Sequence, residues 1–205
     1  MYKTNFVFGY GSLMNVTNLQ RYLGRDLISP QMFEREAKNK SIIEDFTYCG
    51  LKDFRRCWNI AMDNRLDLPD YKYYINKKTR IRPQGFITFL NIRSHRNTTI
   101  DGILFSVSDR ELKQLDRRER NYQRIDVTDK IDLKVQGNVW VYIGLKEAEE
   151  RYKKGLKQGN VMIAKNYFDA VYKAYLLLGE KALFNYLATT DKPLVPIVNL
   201  KKCQV

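Results

Sequence analysis

The chain has 205 residues, 44% of them hydrophobic, which is enough to bury one sizeable core and short for two independent ones. Lys and Arg outnumber Asp and Glu by 36 to 23, and the resulting +13 attracts polyanions or small acidic metabolites without choosing between them; A/T-rich coding bias accounts for the same excess. No run reaches the roughly 18 apolar residues of a membrane span, Met1 to Asn5 lead into a strand without an apolar signal core, and the single His95 and three scattered cysteines exclude a His-rich metal site or a zinc spacing, so a cytoplasmic protein with reduced Cys49, Cys57 and Cys203 is expected.

Asn5 to Gly11 is β-branched, aromatic and closed by glycines, which predicts a buried strand running into a tight loop. Leu13 to Leu23 has helical apolar spacing, Pro30 to Lys40 turns polar, and Phe46 to Met62 returns to strand-like residues around Gly50. Asn64 to Gln84 is polar and turn-rich and is expected to leave the core as an excursion. Gly85 to Ile92 and Gly102 to Val107 read as two strands of a hairpin, joined by the polar stretch that holds His95.

Ser108-Asp109-Arg110-Glu111 has the Ser-x-x-Glu form of a capping box, so a short helix is expected over Asp109 to Arg118 with Leu112 and Leu115 inward. Strands follow at Tyr122 to Val127 and Val139 to Ile143. The period then changes: Lys146 to Gln158 reads as a polar helix, and Val161 to Leu178 as a helix with Ala164, Phe168, Val171, Tyr175 and Leu178 on one face. Asp191 to Val205, with two prolines, is expected to lie extended on the surface. Residues 1–145 thus form a core with an excursion near 64–84, and residues 146–205 a helical extension packed on the same domain.

Two constellations offer chemistry. Gly9 to Met14 sits between a strand and a helix, where glycines permit a tight backbone and free amides can point at an anion; a plain connecting turn uses the same residues. It is neither a dinucleotide fingerprint nor a phosphate-binding Walker loop, and Ser12 lacks the context of a hydrolase nucleophile. Glu119 stands three residues after Asp116, where the capped helix should end, as a reactive carboxylate or as a solvated one among arginines. Arg117, Arg118, Arg120 and Arg124 are expected to turn away, since an arginine in the same pocket makes Glu119 an anchor for an ammonium group more than a base.

Phe8 to Met14, Gly102 to Ser108 running into Leu115 to Glu119 and Tyr122, and Val139 to Tyr142 occur in the order seen in the γ-glutamylcyclotransferase family, including its γ-glutamylamine cyclotransferase, BtrG-like and AIG2-like branches, which the chain resembles over roughly residues 5–145. The resemblance implies an α+β fold in which a small mixed β-barrel with flanking helices carries the loop and the acid at one mouth. It implies that Tyr10, Gly11, Ser12 and Leu13 cradle a γ-glutamyl unit, that Glu119 is the acid/base, and that Tyr122 and Tyr142 belong to the pocket. It implies cyclisation of the γ-glutamyl group to 5-oxoproline with no cofactor and no metal, by a monomer or homodimer acting on a small molecule.

Two other readings compete. Tyr71, Tyr73 and Tyr74 interleave with Lys72, Lys77, Lys78, Arg80 and Arg82 as in a single-stranded nucleic-acid platform, but no recognisable module accompanies them, and neither nucleic acid nor membrane is expected as a partner. The same fold could also serve as a catalytically silent ligand-binding or protein-interaction module.

Overall fold

The computed structural model describes residues 4–24 and 46–204. The polar stretch Pro30 to Lys40 lies outside the described residues. Strand β1 (Thr4–Gly9) ends in a 3-10 turn over Ser12–Met14 and then helix α1 (Val16–Leu23), whose Leu19 and Leu23 are buried. Two long strands follow, β2 (Phe46–Asp63) and β4 (Phe86–Val107), paired antiparallel along nearly their whole length. Between them lies the short β3 (Lys72–Asn76).

The other edge of β4 is shared. Its C-terminal half pairs antiparallel with β1, and β1 pairs parallel with β6 (Gly137–Gly144), which carries β5 (Tyr122–Asp126) at its side. Its first residues pair parallel with β7 (Val161–Ala164), which holds β8 (Ile197–Val198). One strand therefore belongs to two neighbourhoods, and β1 and β6 can bury Val7, Phe8, Val139 and Val141 completely. Gly102 permits the close approach of β1 and β4, since a Cβ there would stand 2.4 Å from the Gly9 carbonyl oxygen. The fold is α+β as expected. Among the described residues, β2 and the segment after β5 meet through the isolated bridge Leu51 to Ile131, with Gly50 N–H donating to Asp132 Oδ1, and not through a continuous ladder.

Three sequence expectations change. The His95 stretch does not turn a hairpin: β4 continues through it, and its register against β2 jumps from Thr99 opposite Lys52 to Ser94 opposite Phe54. The residues between bulge out, with Asn97 at φ +60°, its N–H held by Asp53 Oδ1, and His95 Nδ1 within 2.7 Å of Thr98 Oγ1. A polar insertion satisfied locally leaves the apolar register on either side intact. Val161 to Ala164 is strand and not helix, because β4 offers a free edge there; helix α4 (Lys165–Leu177) begins only afterwards and α5 (Glu180–Ala188) follows. The C-terminal tail is not a surface ribbon: β9 (Leu200–Gln204) pairs antiparallel with β3, and Leu200 is fully buried.

The capped helix α2 (Asp109–Arg118) matches its sequence signature, with Ser108 and Glu111 each satisfying the other's backbone amide and Leu112 and Leu115 buried. Helix α3 (Lys146–Gln158) packs on β2 and ends at Gly159, whose φ of +64° suits glycine and whose N–H caps the carbonyls of Gly155 and Leu156. Among the described residues no helix is long and apolar enough to cross a membrane.

Candidate active site

A cleft of about 290 Å³ opens where three parts of the chain meet: the β1 loop with the end of α2, the β3–β9 ribbon, and α4. The loop supplies Gly11 and Ser12 and the end of α2 supplies Arg118 and Glu119. Glu119 is the C-cap of α2. Its N–H donates to the Leu115 carbonyl and its own carbonyl accepts from Tyr122 N–H at 2.8 Å, so helix end and β5 are locked together around it. Its side chain is only 13% exposed.

Glu119 Oε1 is taken by Arg118 Nη1, and the other guanidinium nitrogen of Arg118 donates to Ser12 Oγ at 3.1 Å. One arginine thus ties the acid to the loop. Glu119 Oε2 carries no hydrogen bond from any described residue. The expectation that the arginines turn away fails for Arg118, which is locked into this chain, and for Arg120, which lines the cleft over the Tyr71 ring at 5.2 Å. It holds for Arg124, which leaves the cleft for Asp116 at 3.3 Å and the face of Trp140 at 4.7 Å. Arg117 is exposed and does not line the cleft.

Of the residues singled out in the sequence, Gly11, Ser12, Glu119 and Tyr122 line the cleft, whereas Tyr10, Leu13 and Tyr142 do not. Tyr10 is buried and donates to the Tyr142 carbonyl at 2.7 Å, while its own carbonyl accepts from Tyr175 Oη. Tyr142 Oη donates to Asp116 Oδ1. These side chains fix the backbone of the loop and of β6 from behind. Tyr122 Oη donates to the Leu90 carbonyl at 2.8 Å. Burial, with smaller contributions from neighbouring phenols and Glu119, pushes Tyr10 and Tyr122 well above the ordinary tyrosine range, so both stay neutral donors.

The sequence reading missed two walls. Helix α4 contributes Tyr167, which sits edge-on to Phe89 at 5.1 Å and to Trp58 at 6.1 Å and accepts from the Leu90 N–H. Helical periodicity marked its neighbour Phe168 as core but could not say which side chain would reach the loop. The ribbon contributes Tyr71, Lys72, Tyr74 and Lys202. The tyrosine cluster is therefore no open stacking platform: Tyr74 is 3% exposed, Tyr71 accepts a hydrogen bond from Asn121 Nδ2, and Arg82 covers the Tyr73 ring at 4.5 Å. Arg82 is itself engaged by Asp67 and the Leu66 carbonyl.

Among the described residues no cluster of three or more His, Cys, Asp and Glu is placed to hold a metal ion. Cys49 and Cys57 are buried free thiols, and desolvation pushes Cys57 up to about 12, so neither is a ready nucleophile.

A family model described as gamma-glutamyl cyclotransferase, AIG2-like, matches residues 7–160. Comparison with curated proteins gives no match. Among solved structures, the chain is similar to a protein of Arabidopsis thaliana determined in solution, at 18% identity and a TM-score of 0.42 over 77% of this chain and 85% of that one. It is similar to a structure described as a gamma-glutamyl cyclotransferase, at 12% identity and a TM-score of 0.41 over 76% and 80%. It is also similar to an uncharacterized protein from Homo sapiens, at 13% identity and a TM-score of 0.36 over 77% and 80%. With the loop, the capped helix ending in Glu119 and strand β6 all inside a match that spans more than half of its length, the chain belongs to the AIG2-like gamma-glutamyl cyclotransferase family.

Proposed function

We propose that the protein converts a γ-glutamyl compound to 5-oxoproline and a free amine or amino acid, with Glu119 handling the protons. The observation that carries this reading is the division of labour at Glu119: Arg118 fixes one carboxylate oxygen to the loop, and no described residue donates to the other.

The reacting groups belong to one molecule, so the enzyme's main task is to fold the γ-glutamyl chain until its α-nitrogen reaches its own γ-carbonyl carbon. Glu119 is the one acid among the described residues lining the cleft, so its second oxygen first serves as the anchor for the α-ammonium. The nitrogen then gives up a proton to Oε2 and attacks; the C–N bond of the lactam forms as the bond to the leaving nitrogen breaks. Protons shed by the attacking nitrogen pass through Glu119 to the departing amine, so donor and acceptor balance without an outside acid. The carbonyl oxygen gains charge during attack. Amides leading the 3-10 turn after Gly11, which has no side-chain cap, and the Ser12 hydroxyl are the donors on that side of the cleft. Tyr10, Leu13 and Tyr142 act by holding the loop and β6 in place.

The test is mass-spectrometric detection of 5-oxoproline from wild type and Glu119→Gln incubated with glutathione, γ-glutamyl amino acids and γ-glutamyl-ε-lysine. Release by wild type, with a loss of at least about 10²-fold in a folded Glu119→Gln protein, is the expected result. Equal release by both removes Glu119 from the mechanism. The Arg118 contact also favours a second reading, a silent binding module, for which the signature is a ligand-dependent rise in melting temperature with no turnover by wild type.

A further inference from the structure

The ribbon wall of the cleft is cationic in a way the cyclisation chemistry does not use. In the β3–β9 ladder Lys72 faces Gln204 and Tyr74 faces Lys202, so Lys72 and Lys202 are diagonal neighbours on one face of the ribbon. That is the face whose Tyr74 and Leu200 are buried, and both lysines line the cleft. The Lys72 ammonium lies 4.2 Å from the centre of the Phe89 ring and 5.9 Å from that of Tyr71. Among the described residues no carboxylate stands within ion-pair distance of either lysine.

Like charges side by side in a partly desolvated cleft are unfavourable unless an anion joins them. With Arg118 and Arg120 the lining carries four cations against one acid, Glu119. A γ-glutamyl unit brings one α-carboxylate, for which Arg118, Ser12 and the loop amides are at hand. Two lysines on a different wall are surplus to it, and the part of the substrate that extends past the loop is the leaving group.

We propose that Lys72 and Lys202 form a subsite for a carboxylate on the leaving group, so that the protein acts on γ-glutamyl amino acids or short γ-glutamyl peptides in preference to γ-glutamyl amines. The assignment rests on the cyclisation reading for its orientation of substrate. Desolvation, opposed by Glu119 and reinforced by Lys202 and Arg118, pushes Lys72 down to about 8, the condition of an ammonium still charged near neutrality and in need of a counterion. The aromatic rings of Phe89 and Tyr71 support the lysine stem and head but cannot neutralise it.

The experiment compares γ-glutamyl-alanine with γ-glutamyl-alaninamide, which differ only in the leaving group's carboxylate, in wild type, Lys72→Met and Lys202→Met. Turnover is followed as 5-oxoproline, and binding of the same two compounds by calorimetry. Wild type is expected to favour the acid by roughly tenfold or more in kcat/KM and in Kd, the scale of a charge-assisted hydrogen bond, and each Met variant to narrow that ratio by weakening the acid. Lys202 is exposed, so its variant stays informative should Lys72→Met fail to fold. Equal affinity of wild type for acid and amide, absence of binding by both, or an equal loss of both compounds in the variants overturns the subsite. Binding that favours the acid and depends on the lysines, without any 5-oxoproline, keeps the subsite and sinks the cyclisation reading instead.

Discussion

The cleft has two unlike sides. The loop and α2 side is assembled from residues close in sequence to their structural cause: a strand, a glycine turn, a capping box and a helix end. The ribbon and α4 side is assembled from strands 128 positions apart at Lys72 and Leu200 and from a helix that arrives after the matched family span. On the proposed reading the first side serves the γ-glutamyl group and the second the leaving group, so chemistry and selectivity would rest on parts of the chain with different energetic supports, and each can be disturbed separately.

The largest effect is expected on the chemical side. Glu119→Gln keeps the shape of the side chain and removes its ability to take a proton, so release of 5-oxoproline per folded molecule should fall by at least about 10²-fold. A fall shared with Lys72→Met, on acid and amide substrates alike, would erase the distinction between the two sides.

Next in size is the anchor of the ribbon. Asn64 is fully buried and closes on the ribbon from both directions: its Nδ2 donates to the carbonyls of Tyr74 and Pro83, and its Oδ1 accepts from Tyr74 N–H at 2.7 Å. Asn64→Ala removes those three buried hydrogen bonds and should cost about 1–3 kcal/mol, read as a lower urea midpoint. Hydrogen exchange should rise in β3 and β9 while β1 and α2 keep their protection. Uniform exchange throughout would mean that the two sides unfold together.

The contrast also explains what was legible. The Phe8 to Met14 loop, the Ser108 and Glu111 box and the strands Tyr122–Asp126 and Gly137–Gly144 follow from patterns a few residues long, and they bring Gly11, Ser12, Glu119 and Tyr122 to the cleft. The β3–β9 pairing has no local signature: Lys-Tyr-Tyr-Ile-Asn and Leu-Lys-Lys-Cys-Gln become strands because each supplies the other's hydrogen bonds and buries Tyr74 and Leu200. Val161 to Ala164 has helical spacing and is strand because an edge of β4 is available. The side-chain direction of Arg118 was equally hidden, since it is set by Ser12 on a loop 106 residues away.

A pH series sharpens the selectivity side by a smaller amount. Burial holds Lys72 down to about 8 against an ordinary 10.5, opposed by Glu119 at the end of α2 and reinforced by Lys202 from β9 and by Arg118. Its folded-state pKa is depressed, so the cost of holding it charged is fully present below about 8 and is relieved as pH rises toward its unfolded value. The same deprotonation removes the proposed counterion, so the preference for γ-glutamyl-alanine over its amide in kcat/KM should shrink from roughly tenfold toward parity above pH 8. Lys72→Met should flatten that dependence, and a preference unchanged through pH 10 would place the discrimination elsewhere.

The smallest expected effect tests how independently the chemical side is held. Ser108 caps α2 at the end far from Glu119, and Ser108→Ala should cost about 1 kcal/mol, which for a chain of this size lowers the melting temperature by about 2–4 °C. Glu119 does not depend on that cap for its position. Its amide is bonded to Leu115, its carbonyl to Tyr122, and its carboxylate to the Arg118 that also holds Ser12. The rate of 5-oxoproline release per folded molecule should therefore stay within about twofold of wild type, since an independently held site does not share in a distant cap's loss. A rate that falls with stability would mean that the helix end moves with its beginning and that the contacts around Glu119 do not fix it alone.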